Sequence, residues 1–356
     1  MITSLNIVSD DIRLEEAGIR LPLVSVIVTN YNYANYICDC LESIKRQDYT
    51  NIECLVVDDK STDNSVEIIN KFSKDTETEI QLVEHDQNRG QFAAFSTGLL
   101  HAKGEFIVFV DADDILLGNF VSEHLRIHLG DYPVAFTSSN QYQINGEKQV
   151  IAGIHSFLQA VDIEVIIRSQ PLLFRFWPWA TTSTMMFRRT ILELILLDSS
   201  CKLMICADNY LCHFANLIGE SVIIPQKLGC YRRHGKNNFA SNSYVNNRTL
   251  IGDMSNHPEH GEVLTLIRKE ILDKSDLFLK IFSFTDYSKL LLKTTRIINL
   301  SESLLFLLKV RQGSRFPVLF RLICIYLEMM WKALYRILIR KITFQYTIYE
   351  NIRPQI

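Results

Sequence analysis

The stretch GEFIVFVDADD, residues 104–114, joins a run of apolar residues to a group of carboxylates. Residues 106–110 are all Phe, Val or Ile, a composition typical of a parallel strand that is buried on both faces. Asp111, Asp113 and Asp114 follow this run directly. Because open α/β sheets bind ligands beyond the carboxyl ends of their strands, the stretch predicts a ligand-binding edge.

Asp111 and Asp113 form an i, i+2 pair of carboxylates that would repel each other at such an edge. A divalent cation would stabilise the pair, and hard oxygen ligands suit Mg²⁺ or Mn²⁺. An ion held by two protein carboxylates usually takes its other ligands from water and substrate phosphates. The pair therefore predicts a metal–diphosphate site, although aspartates after a strand also cap helices or lie in solvated loops.

The composition is that of an ordinary globular protein, with 47% hydrophobic and 22% charged residues among 356. This length suits one large domain with an appendage, or two ordinary domains. The net charge of −3 gives no reason to expect a nucleic-acid partner. The eight cysteines form no C-x-x-C pair, which favours reduced thiols in a cytoplasmic protein. We find no signal-peptide pattern and no uncharged apolar run of about 18 residues, so we expect no spanning helix.

Predicted strands alternate with predicted helices in the first part of the chain, which favours an α/β fold with a doubly wound parallel sheet. The strands are predicted at residues 23–29, 52–57, 80–83 and 106–110. Right-handed crossovers bring the carboxyl ends of such strands to one edge. Polar clusters at 29–32, 58–59 and 111–113 would meet there, as at a nucleotide site. The sequence lacks G-x-G-x-x-G and G-x-x-x-x-G-K-[ST], which excludes a dinucleotide fingerprint and a P-loop.

Three segments, VSVIVTNYN, VVDDKSTDNS and NRGQFAAFSTGLLHAKGEFIVFVDADD, occur in this order and resemble a family 2 glycosyltransferase. The resemblance covers residues 22–120 closely and extends more weakly to about residue 240. It implies the GT-A fold, in which a Rossmann-like, mostly parallel sheet lies between helices. It also implies inverting, metal-dependent transfer of a hexosyl or N-acetylhexosaminyl group from a nucleotide sugar, most commonly a UDP-sugar, with Mn²⁺ or Mg²⁺ as cofactor.

The resemblance assigns one set of residues to the nucleoside of the donor. Thr29, Tyr31 and Asp59 would contact the nucleobase and the ribose. Residues 88–90 match the family's loop beside the donor, and Arg89 could supply positive charge to the diphosphate. The alternative for Arg89 is an ordinary surface ion pair.

A second set of residues would bind the diphosphate and the ion. By resemblance, Asp111 would approach the ribose, Ala112 lies within the same donor-binding segment, and Asp113 would ligate the ion that bridges the diphosphate. Residues 231–235, YRRHG, resemble the stretch that closes the family's catalytic domain. There His234 could ligate the metal or contact a phosphate, and either arginine could neutralise the diphosphate.

Asp208 is the candidate general base. It falls in the first turn of a helix predicted from residue 206, where the helix dipole favours a carboxylate, so N-capping is the structural alternative. Members of the family place a Glu-Asp pair here, and the Asp acts as base; in this chain Ala207 replaces the Glu. This departure keeps open a non-catalytic nucleotide-sugar or glycan binding module on the same scaffold. A phosphoacceptor receiver domain is disfavoured because the first strand ends in Thr29-Asn30.

Two other groups of residues have both a functional and a structural interpretation. His124 and His128 are four residues apart, a spacing that can bind metal, but no third ligand accompanies them and we expect ordinary histidines. The aromatic stretch 174–179 could form a platform for an acceptor sugar, or it could pack in the core.

The predicted organisation has four parts: an N-terminal extension (1–21), a catalytic domain (22–240), an Asn- and Ser-rich linker (241–260) and a helical region (261–356). The helical region carries Lys and Arg between apolar stripes, so it can pack on the catalytic domain, form a homo-oligomer or lie on a membrane surface. We expect a cytoplasmic protein, with peripheral contact at the inner face of the cell membrane as an alternative. The expected partners are the donor and a glycan or lipid-linked glycan acceptor of bacterial surface polysaccharide synthesis.

Overall fold

A computed structural model gives the fold, and the chain divides into two compact units, Met1–Glu270 and Ile271–Ile356. The structure describes residues 20–131, 133–152, 154–155, 164–167, 177–196, 207–234, 244–245, 248–249 and 258–294. Nearly all of the N-terminal extension and most of the linker lie outside these ranges. The domain boundaries drawn from the sequence therefore stay predictions.

The first half of the large sheet is parallel, as the sequence predicts. Its strands are β1 (Val24–Asn30), β2 (Ile52–Asp58), β3 (Ile80–Glu84) and β4 (Phe106–Asp111). The helices between them are α1 (Ile37–Lys45), α2 (Ser65–Thr76) and α3 (Gln91–His101). The spatial order is β3-β2-β1-β4, and every neighbouring pair is parallel. The carboxyl ends of these strands therefore lie at one edge, where Thr29 pairs with Asp111 and Asn30 with Asp58.

The central strands are apolar because both of their faces are covered. All seven residues of β1 are buried, and so are the five residues that precede Asp111 in β4. On one face α3 packs directly on β1 at Gly98, where an added Cβ would lie 2.3 Å from Cγ2 of Ile27. A glycine at this position therefore allows a close approach of helix and strand that a larger residue would prevent.

The second half of the sheet is mixed. It follows the short β5 (Ile115–Leu116) and α4 (Phe120–His128), and its elements are β6 (Phe136–Ile144), β7 (Val150–Ala152), β8 (Ile154–His155), β9 (Val165–Ile167), β10 (Met185–Arg188), α5 (Arg189–Ile195), α6 (Ala207–Gly219) and β11 (Ser221–Arg232). The order continues β4-β10-β6-β11-β5, with β7 on β6 and β9 on β11. Strand β10 is antiparallel to both of its neighbours, whereas β6 and β11 are parallel. The mostly parallel, Rossmann-like sheet expected for a GT-A fold is confirmed.

The sequence pattern of residues 181–189, TTSTMMFRR, predicts a strand, and the structure differs at the start of this segment. Residues 182–184 form a short 3-10 turn before β10 begins. The backbone N–H and the hydroxyl of Thr184 both donate to the carbonyl oxygen of Thr181, at 3.0 and 2.7 Å. These local bonds close the turn, which a strand-like sequence pattern does not reveal.

The histidines of α4 are structural. His124 and His128 are both buried, and Thr137 contacts a ring nitrogen of each, at 2.6 and 3.1 Å. Nε2 of His128 also donates to the carbonyl oxygen of Met186 at 3.1 Å. Among the residues that the structure describes, no three His, Cys, Asp or Glu side chains form a group able to hold a metal. The expectation of ordinary histidines agrees with this packing.

The part of the aromatic stretch that the structure describes packs in the core. Trp179 is fully buried, and its Nε1 donates to Oγ of Ser221 at 2.9 Å. Nε1 of Trp177 donates to the carbonyl oxygen of Ala180 at 2.9 Å. Residues 174–176 lie outside the described residues. For Trp179, core packing is therefore the observed role.

The remaining elements are a small sheet and three helices. Strands β12 (Tyr244–Val245) and β13 (Arg248–Thr249) form a three-stranded sheet with β8. The helices are α7 (Pro258–Asp273), α8 (Ser275–Ile281) and α9 (Phe284–Lys293). Within the described ranges, none of the helices combines the length and the apolar character needed to cross a membrane. Residues 295–356, on which the predicted membrane or oligomer contact largely depends, lie outside those ranges.

Candidate active site

The site lies at the edge where β1, β2 and β4 end. The parallel register carries Thr29, Asp58 and Asp111 to this edge, as their positions after apolar runs predict. The carboxylate of Asp58 stabilises the loop that follows it, because it accepts hydrogen bonds from Asn30 Nδ2 at 2.6 Å and from the backbone N–H of Ser61 at 2.8 Å. The carboxylate thus fixes the turn after β2 and leaves the neighbouring Asp59 to face the next loop.

Asp59 holds the loop that leads into α3. Its Oδ1 accepts from the backbone N–H of Arg89 at 2.8 Å and from Nδ1 of His85 at 2.7 Å, and its Oδ2 accepts from the backbone N–H of Gly90 at 2.7 Å. Gly90 adopts a φ of 83°, a conformation that favours glycine. A carboxylate has about four acceptor positions, so these three bonds are compatible with one further contact, such as the predicted one to the donor.

The other residues predicted for the nucleoside lie around this edge in different environments. Tyr31 is 42% exposed. The guanidinium of Arg89 pairs with Asp86, with Nη2 at 2.6 Å from Oδ1, so the structure shows the surface ion pair that was the alternative for this residue. Ala112 is fully buried, and its backbone N–H donates to the carbonyl oxygen of Thr29 at 3.1 Å. Ala112 therefore joins β4 to β1 through its backbone.

Asp111 is held by two side chains at the edge. Its Oδ1 accepts from Oγ1 of Thr29 at 3.2 Å and from Nε2 of Gln91 at 3.3 Å. Burial, together with the negative charges of Asp113 and Asp208, raises the pKa of Asp111 to about 7. The interaction with Asp208 shows that carboxylates from β4 and from α6, distant in the sequence, share one region.

Gln91 is a functional candidate that sequence reasoning missed. While Nε2 of Gln91 donates to Asp111, its Oε1 accepts the backbone N–H of Ala207 at 3.2 Å. This N–H belongs to the first turn of α6, where backbone donors lack partners within the helix. One amide side chain thus links the end of β4 to the start of the helix that carries Asp208. Only its position, just after Gly90 in the matched loop, could have suggested it.

Asp208 lies in the first turn of α6, partly buried, as the sequence predicts. Its Oδ1 accepts from the backbone N–H of Asn209 at 2.9 Å, and its Oδ2 accepts from Oγ1 of Thr182 at 3.3 Å. Burial raises the pKa of Asp208 above its usual value, although these two hydrogen bonds act in the opposite direction. A carboxylate with a raised pKa is a stronger proton acceptor, which suits a general base.

Asp113 and His234 are in direct contact. Nε2 of His234 lies 2.9 Å from Oδ2 of Asp113, and only 4% and 5% of the two side chains are exposed. The His234 ring stacks on the Tyr36 ring with centroids 4.7 Å apart and meets the Tyr33 ring edge-on at 5.7 Å. Sequence reasoning chose both ligand candidates, and the fold places them side by side across 121 residues of sequence.

These two side chains fit a Mg²⁺ or Mn²⁺ ion that takes further ligands from a substrate. A carboxylate oxygen and an imidazole nitrogen face each other at 2.9 Å, so an ion held by both would replace their hydrogen bond. In the described ranges they are not joined by a third clustered His, Cys, Asp or Glu. Such a sparse protein set is typical of ions that also bind substrate phosphates and water. The arrangement therefore fits the predicted metal–diphosphate site better than a site built wholly from protein ligands.

Asp114 anchors the loop that carries these ligands. It is fully buried, its Oδ2 accepts from Oγ of Ser183 at 2.6 Å, and its Oδ1 accepts from the backbone N–H of Arg232 at 2.9 Å. Oγ of Ser183 also accepts the backbone N–H of Asp111 at 3.0 Å. Burial raises the pKa of Asp114 well above its usual value, and the charges of Asp113 and Asp111 add to this effect. No local sequence pattern indicates Ser183, because its role depends on the 3-10 turn.

Comparison with known proteins finds one matching family model and several related glycosyltransferases. Residues 25–196 match the model of the family described as "Glycosyl transferase family 2". The chain is 28% identical over 224 residues to the uncharacterized glycosyltransferase alr2836 of Nostoc sp., covering 61% of this chain and 67% of that protein. It is 34% identical over 136 residues to UDP-Glc:alpha-D-GlcNAc-diphosphoundecaprenol beta-1,3-glucosyltransferase WfaP of Escherichia coli, covering 38% of this chain and 52% of WfaP.

Among solved structures, the chain resembles S. aureus TarS 1-349 in complex with UDP-GlcNAc, with a TM-score of 0.55. The two are 21% identical, and the likeness covers 81% of this chain and 76% of that one, which supports the fold alone. The family match runs from β1 through the acidic edge to the end of α5. Residues 25–196 are therefore similar to glycosyltransferase family 2, and the chain has the GT-A fold.

Proposed function

We propose that the protein transfers a sugar, as a hexosyl or N-acetylhexosaminyl group, from a UDP-sugar to an acceptor hydroxyl with inversion at the anomeric carbon. One observation carries this proposal: the amide of Gln91 links the carboxylate of Asp111, at the end of β4, to the backbone of Ala207, which precedes Asp208 at the start of α6. A donor site and a general base would then lie in the same region, as a single displacement requires.

For the donor, we assign the nucleoside to Thr29, Tyr31, Asp59 and Asp111, which line the strand edge. UDP is the proposed nucleotide because TarS has been solved with UDP-GlcNAc and the printed name of WfaP includes UDP-Glc. The remaining acceptor capacity of Asp59 would suit an N–H donor of the nucleobase. Competition between UDP and GDP for the site would measure this preference directly.

For the diphosphate, we assign the Mn²⁺ or Mg²⁺ ion to Asp113 and His234. When bound, such an ion offsets the negative charge that builds up on the leaving diphosphate. The carboxylate of Asp113 supplies negative charge to the site, and the stacked ring of His234 supplies a nitrogen ligand in a fixed orientation. Asp113 therefore acts on donor binding as well as on the rate of transfer.

For the transfer itself, we assign the base to Asp208. The acceptor hydroxyl attacks the anomeric carbon and gives its proton to the Asp208 carboxylate, while the bond to the diphosphate oxygen breaks and the electron pair leaves with UDP. Attack from the face opposite the leaving group inverts the anomeric centre, and no covalent enzyme intermediate is needed. The raised pKa of Asp208 favours this proton transfer.

The proposed acceptor is a glycan or lipid-linked glycan of bacterial surface polysaccharide synthesis. The printed name of WfaP gives a diphosphoundecaprenol-linked acceptor, which supports this class. An acceptor of that kind would bring the protein to the cytoplasmic face of the cell membrane, so we include peripheral membrane contact through residues 261–356. Flotation of the full chain with anionic vesicles tests this part of the proposal separately.

The test combines binding and turnover. The full chain is incubated with Mn²⁺ and each of UDP-Glc, UDP-GlcNAc and GDP-Man over a panel of lipid-linked acceptors, and released nucleotide is measured. We expect Asp208→Asn to bind donor like the wild type but to lose about 10²–10⁴-fold in kcat, the usual contribution of a general base. Wild-type turnover by this variant would remove Asp208 from the mechanism.

The replacement of the family's Glu by Ala207 favours one other candidate, a non-catalytic nucleotide-sugar or glycan binding module. Such a module would be stabilised by UDP-sugar and Mn²⁺ yet release no UDP with any acceptor in the panel. Restoring the acid with Ala207→Glu gives a further comparison. A gain of turnover in that variant, from none in the wild type, would support the module for the natural chain.

A further inference from the structure

Arg232, the last residue of β11, is buried, and its guanidinium donates to groups from three separate segments of the described chain. Its side chain is 1% exposed. Nε donates to the carbonyl oxygen of Asp113 at 2.7 Å, Nη1 to the carbonyl oxygen of Gly146 at 3.0 Å and Nη2 to Oδ2 of Asp39 at 2.9 Å. Its backbone N–H donates to Asp114. Arg232 thus holds the loop after β4 at two successive residues.

The N-terminal part of α1 faces this arginine. The guanidinium carbon of Arg232 lies 4.8 Å from the centroid of the Tyr36 ring, and the ring of His234 stacks on the same tyrosine. Asp39 is one helical turn further along α1 and supplies the carboxylate that pairs with Arg232. Neighbouring positions of one helix face therefore contact both Arg232 and His234, which are themselves two residues apart.

We propose that Tyr36, Asp39 and Arg232 form a positioning unit that fixes Asp113 and His234 in the geometry needed to bind the donor's diphosphate. This inference rests on the proposed function and deepens it. Arg232 fixes the backbone of Asp113, and Tyr36 fixes the ring plane of His234. Because functional groups must be held within about 0.5 Å of their productive geometry, supporting residues of this kind control affinity.

The same contacts distinguish this role from direct phosphate binding. A guanidinium aimed at a diphosphate would have to give up its bonds to Asp39 or to the two carbonyl oxygens. Each of those acceptors would then lose a charged donor in a largely buried place, which is costly. Arg232 therefore belongs to the frame of the site and not to the groups that touch the substrate.

Asp39→Asn is the first test, because it keeps an acceptor oxygen but removes the charge that pairs with Arg232. The probe is UDP in the presence of Mn²⁺, and its dissociation constant is measured by calorimetry on the full chain. Changing the partner of a ligand-holding group usually costs about 10–100-fold in affinity, so we expect weakening of at least about tenfold. At saturating donor, kcat should fall much less than the affinity does.

Lys148→Asn is the matched control. Nζ of Lys148 pairs with Oδ1 of Asp39 at 2.6 Å, but this lysine is exposed. Within the described part of the chain, Asp113 and His234 are not among its contacts. Its backbone φ is 66°, a conformation that asparagine tolerates well. The control removes an ion pair from Asp39 without touching Arg232. We expect its affinity for UDP with Mn²⁺ to stay within about twofold of wild type, because exposed ion pairs contribute little.

A second pair of variants tests the ring. Tyr36→Leu removes the aromatic surface under His234 and Arg232, whereas Tyr36→Phe keeps it. We expect Tyr36→Phe to bind UDP with Mn²⁺ several-fold more tightly than Tyr36→Leu. The thermal midpoints of both variants are measured without ligand. If these midpoints are similar, a general loss of stability does not explain the difference in affinity. This pair also keeps the inference testable should Asp39→Asn fold poorly.

The outcomes separate the two proposals. If the wild-type chain binds neither UDP nor GDP with Mn²⁺, the proposed function fails and the positioning unit fails with it. If the wild type binds UDP and both Asp39→Asn and Tyr36→Leu bind it equally well, the positioning unit alone is overturned. Equal weakening by Lys148→Asn and Asp39→Asn would also overturn it, because the effect would then follow the charge of Asp39 and not its pairing with Arg232.

Discussion

At the scale of single residues, the site gathers carboxylates in an environment that disfavours their charge. Burial raises the pKa values of Asp111, Asp114 and Asp208, and neighbouring negative charges add to the effect for the first two. Such clusters of perturbed groups are typical of functional sites, since a structure selected for stability alone would pair or remove them. Asp208 allows two predictions that separate its chemical role from its effect on stability.

The first prediction concerns the pH dependence of transfer. Asp208 must be deprotonated to act as a base, and burial raises its pKa above the usual value of an aspartate. We therefore expect kcat, at saturating donor and Mn²⁺, to fall as the pH falls, with its midpoint above that of an ordinary aspartate, about 3.9. Initial rates between pH 4 and 9 measure this limb. A rate that stays flat down to pH 4 would contradict the assignment.

The second prediction concerns stability. The pKa of Asp208 is higher in the folded than in the unfolded chain, so the ionised carboxylate destabilises the folded state once the pH exceeds the folded pKa. Asp208→Asn removes this penalty. We expect its Tm at pH 7.5 to lie above that of the wild type when both are measured by thermal unfolding. The advantage should vanish near pH 3.5, and an equal gain at both pH values would contradict this origin.

At the scale of elements, the site depends on how closely helices approach the sheet. Helix α3 lies on β1 at Gly98, and its N-terminus brings Gln91 to Asp111. Helix α1 brings Asp39 to Arg232 in a similar way. A small displacement of either helix would move side chains that reach the acidic edge. The close contact at Gly98 is therefore a determinant of both packing and site geometry.

The third prediction follows from that contact. Gly98→Ala would gain up to about 1 kcal/mol of helix propensity. Its Cβ, however, would lie 2.3 Å from Cγ2 of Ile27, so the helix must move. Overpacking typically costs about 1–3 kcal/mol, so we expect a net loss of stability and a lower Tm. In Gly146→Ala the nearest atom is 3.9 Å away, and this control should leave the Tm nearly unchanged.

The double variant Ile27→Ala, Gly98→Ala extends this test. Removing the isoleucine side chain also removes the clash, so Gly98→Ala should cost less in that background than in the wild type. Differences between single and double variants measured by thermal unfolding give the coupling between the two positions. Strictly additive effects would show that the contact does not limit the approach of α3.

At the scale of the whole molecule, the first unit joins a parallel half-sheet to a mixed half-sheet, and the acidic edge lies where β4 meets β10. Residues from both halves contribute, since Asp111 belongs to β4 whereas Arg232 ends β11. Ligand binding at such a junction stabilises the folded state as a whole, because binding favours folded over unfolded chains.

The fourth prediction uses this linkage. At a ligand concentration of about 100 times Kd, binding adds ~2.7 kcal/mol of stability. We expect UDP with Mn²⁺ to raise the Tm of the full chain by several degrees, and EDTA to reverse the shift. Asp113→Ala should lose most of the shift, since it removes a proposed ligand. A shift that persists in this variant and in EDTA would show that nucleotide binds without the ion at Asp113.

The amino-acid sequence by itself determined the parallel half-sheet and its acidic edge. Apolar runs of strand length with polar residues at their ends are local patterns, and β1 to β4 follow them within a residue or two. The same patterns, with the family resemblance, selected Asp111, Asp113, Asp208 and His234, which the fold brings into one region. Their roles in binding and transfer stay predictions.

Only the tertiary structure decided which of these residues act together and which support them. Asp39 and Arg232 are 193 positions apart, and Asp111 and Gln91 meet across a helix start, so neither pair leaves a periodic signal. Arg89, for which the sequence left both a diphosphate contact and a surface ion pair open, pairs with Asp86. Local periodicity records which side of an element is buried, whereas contacts between distant elements depend on how helices and strands pack, and this sets the geometry of the site.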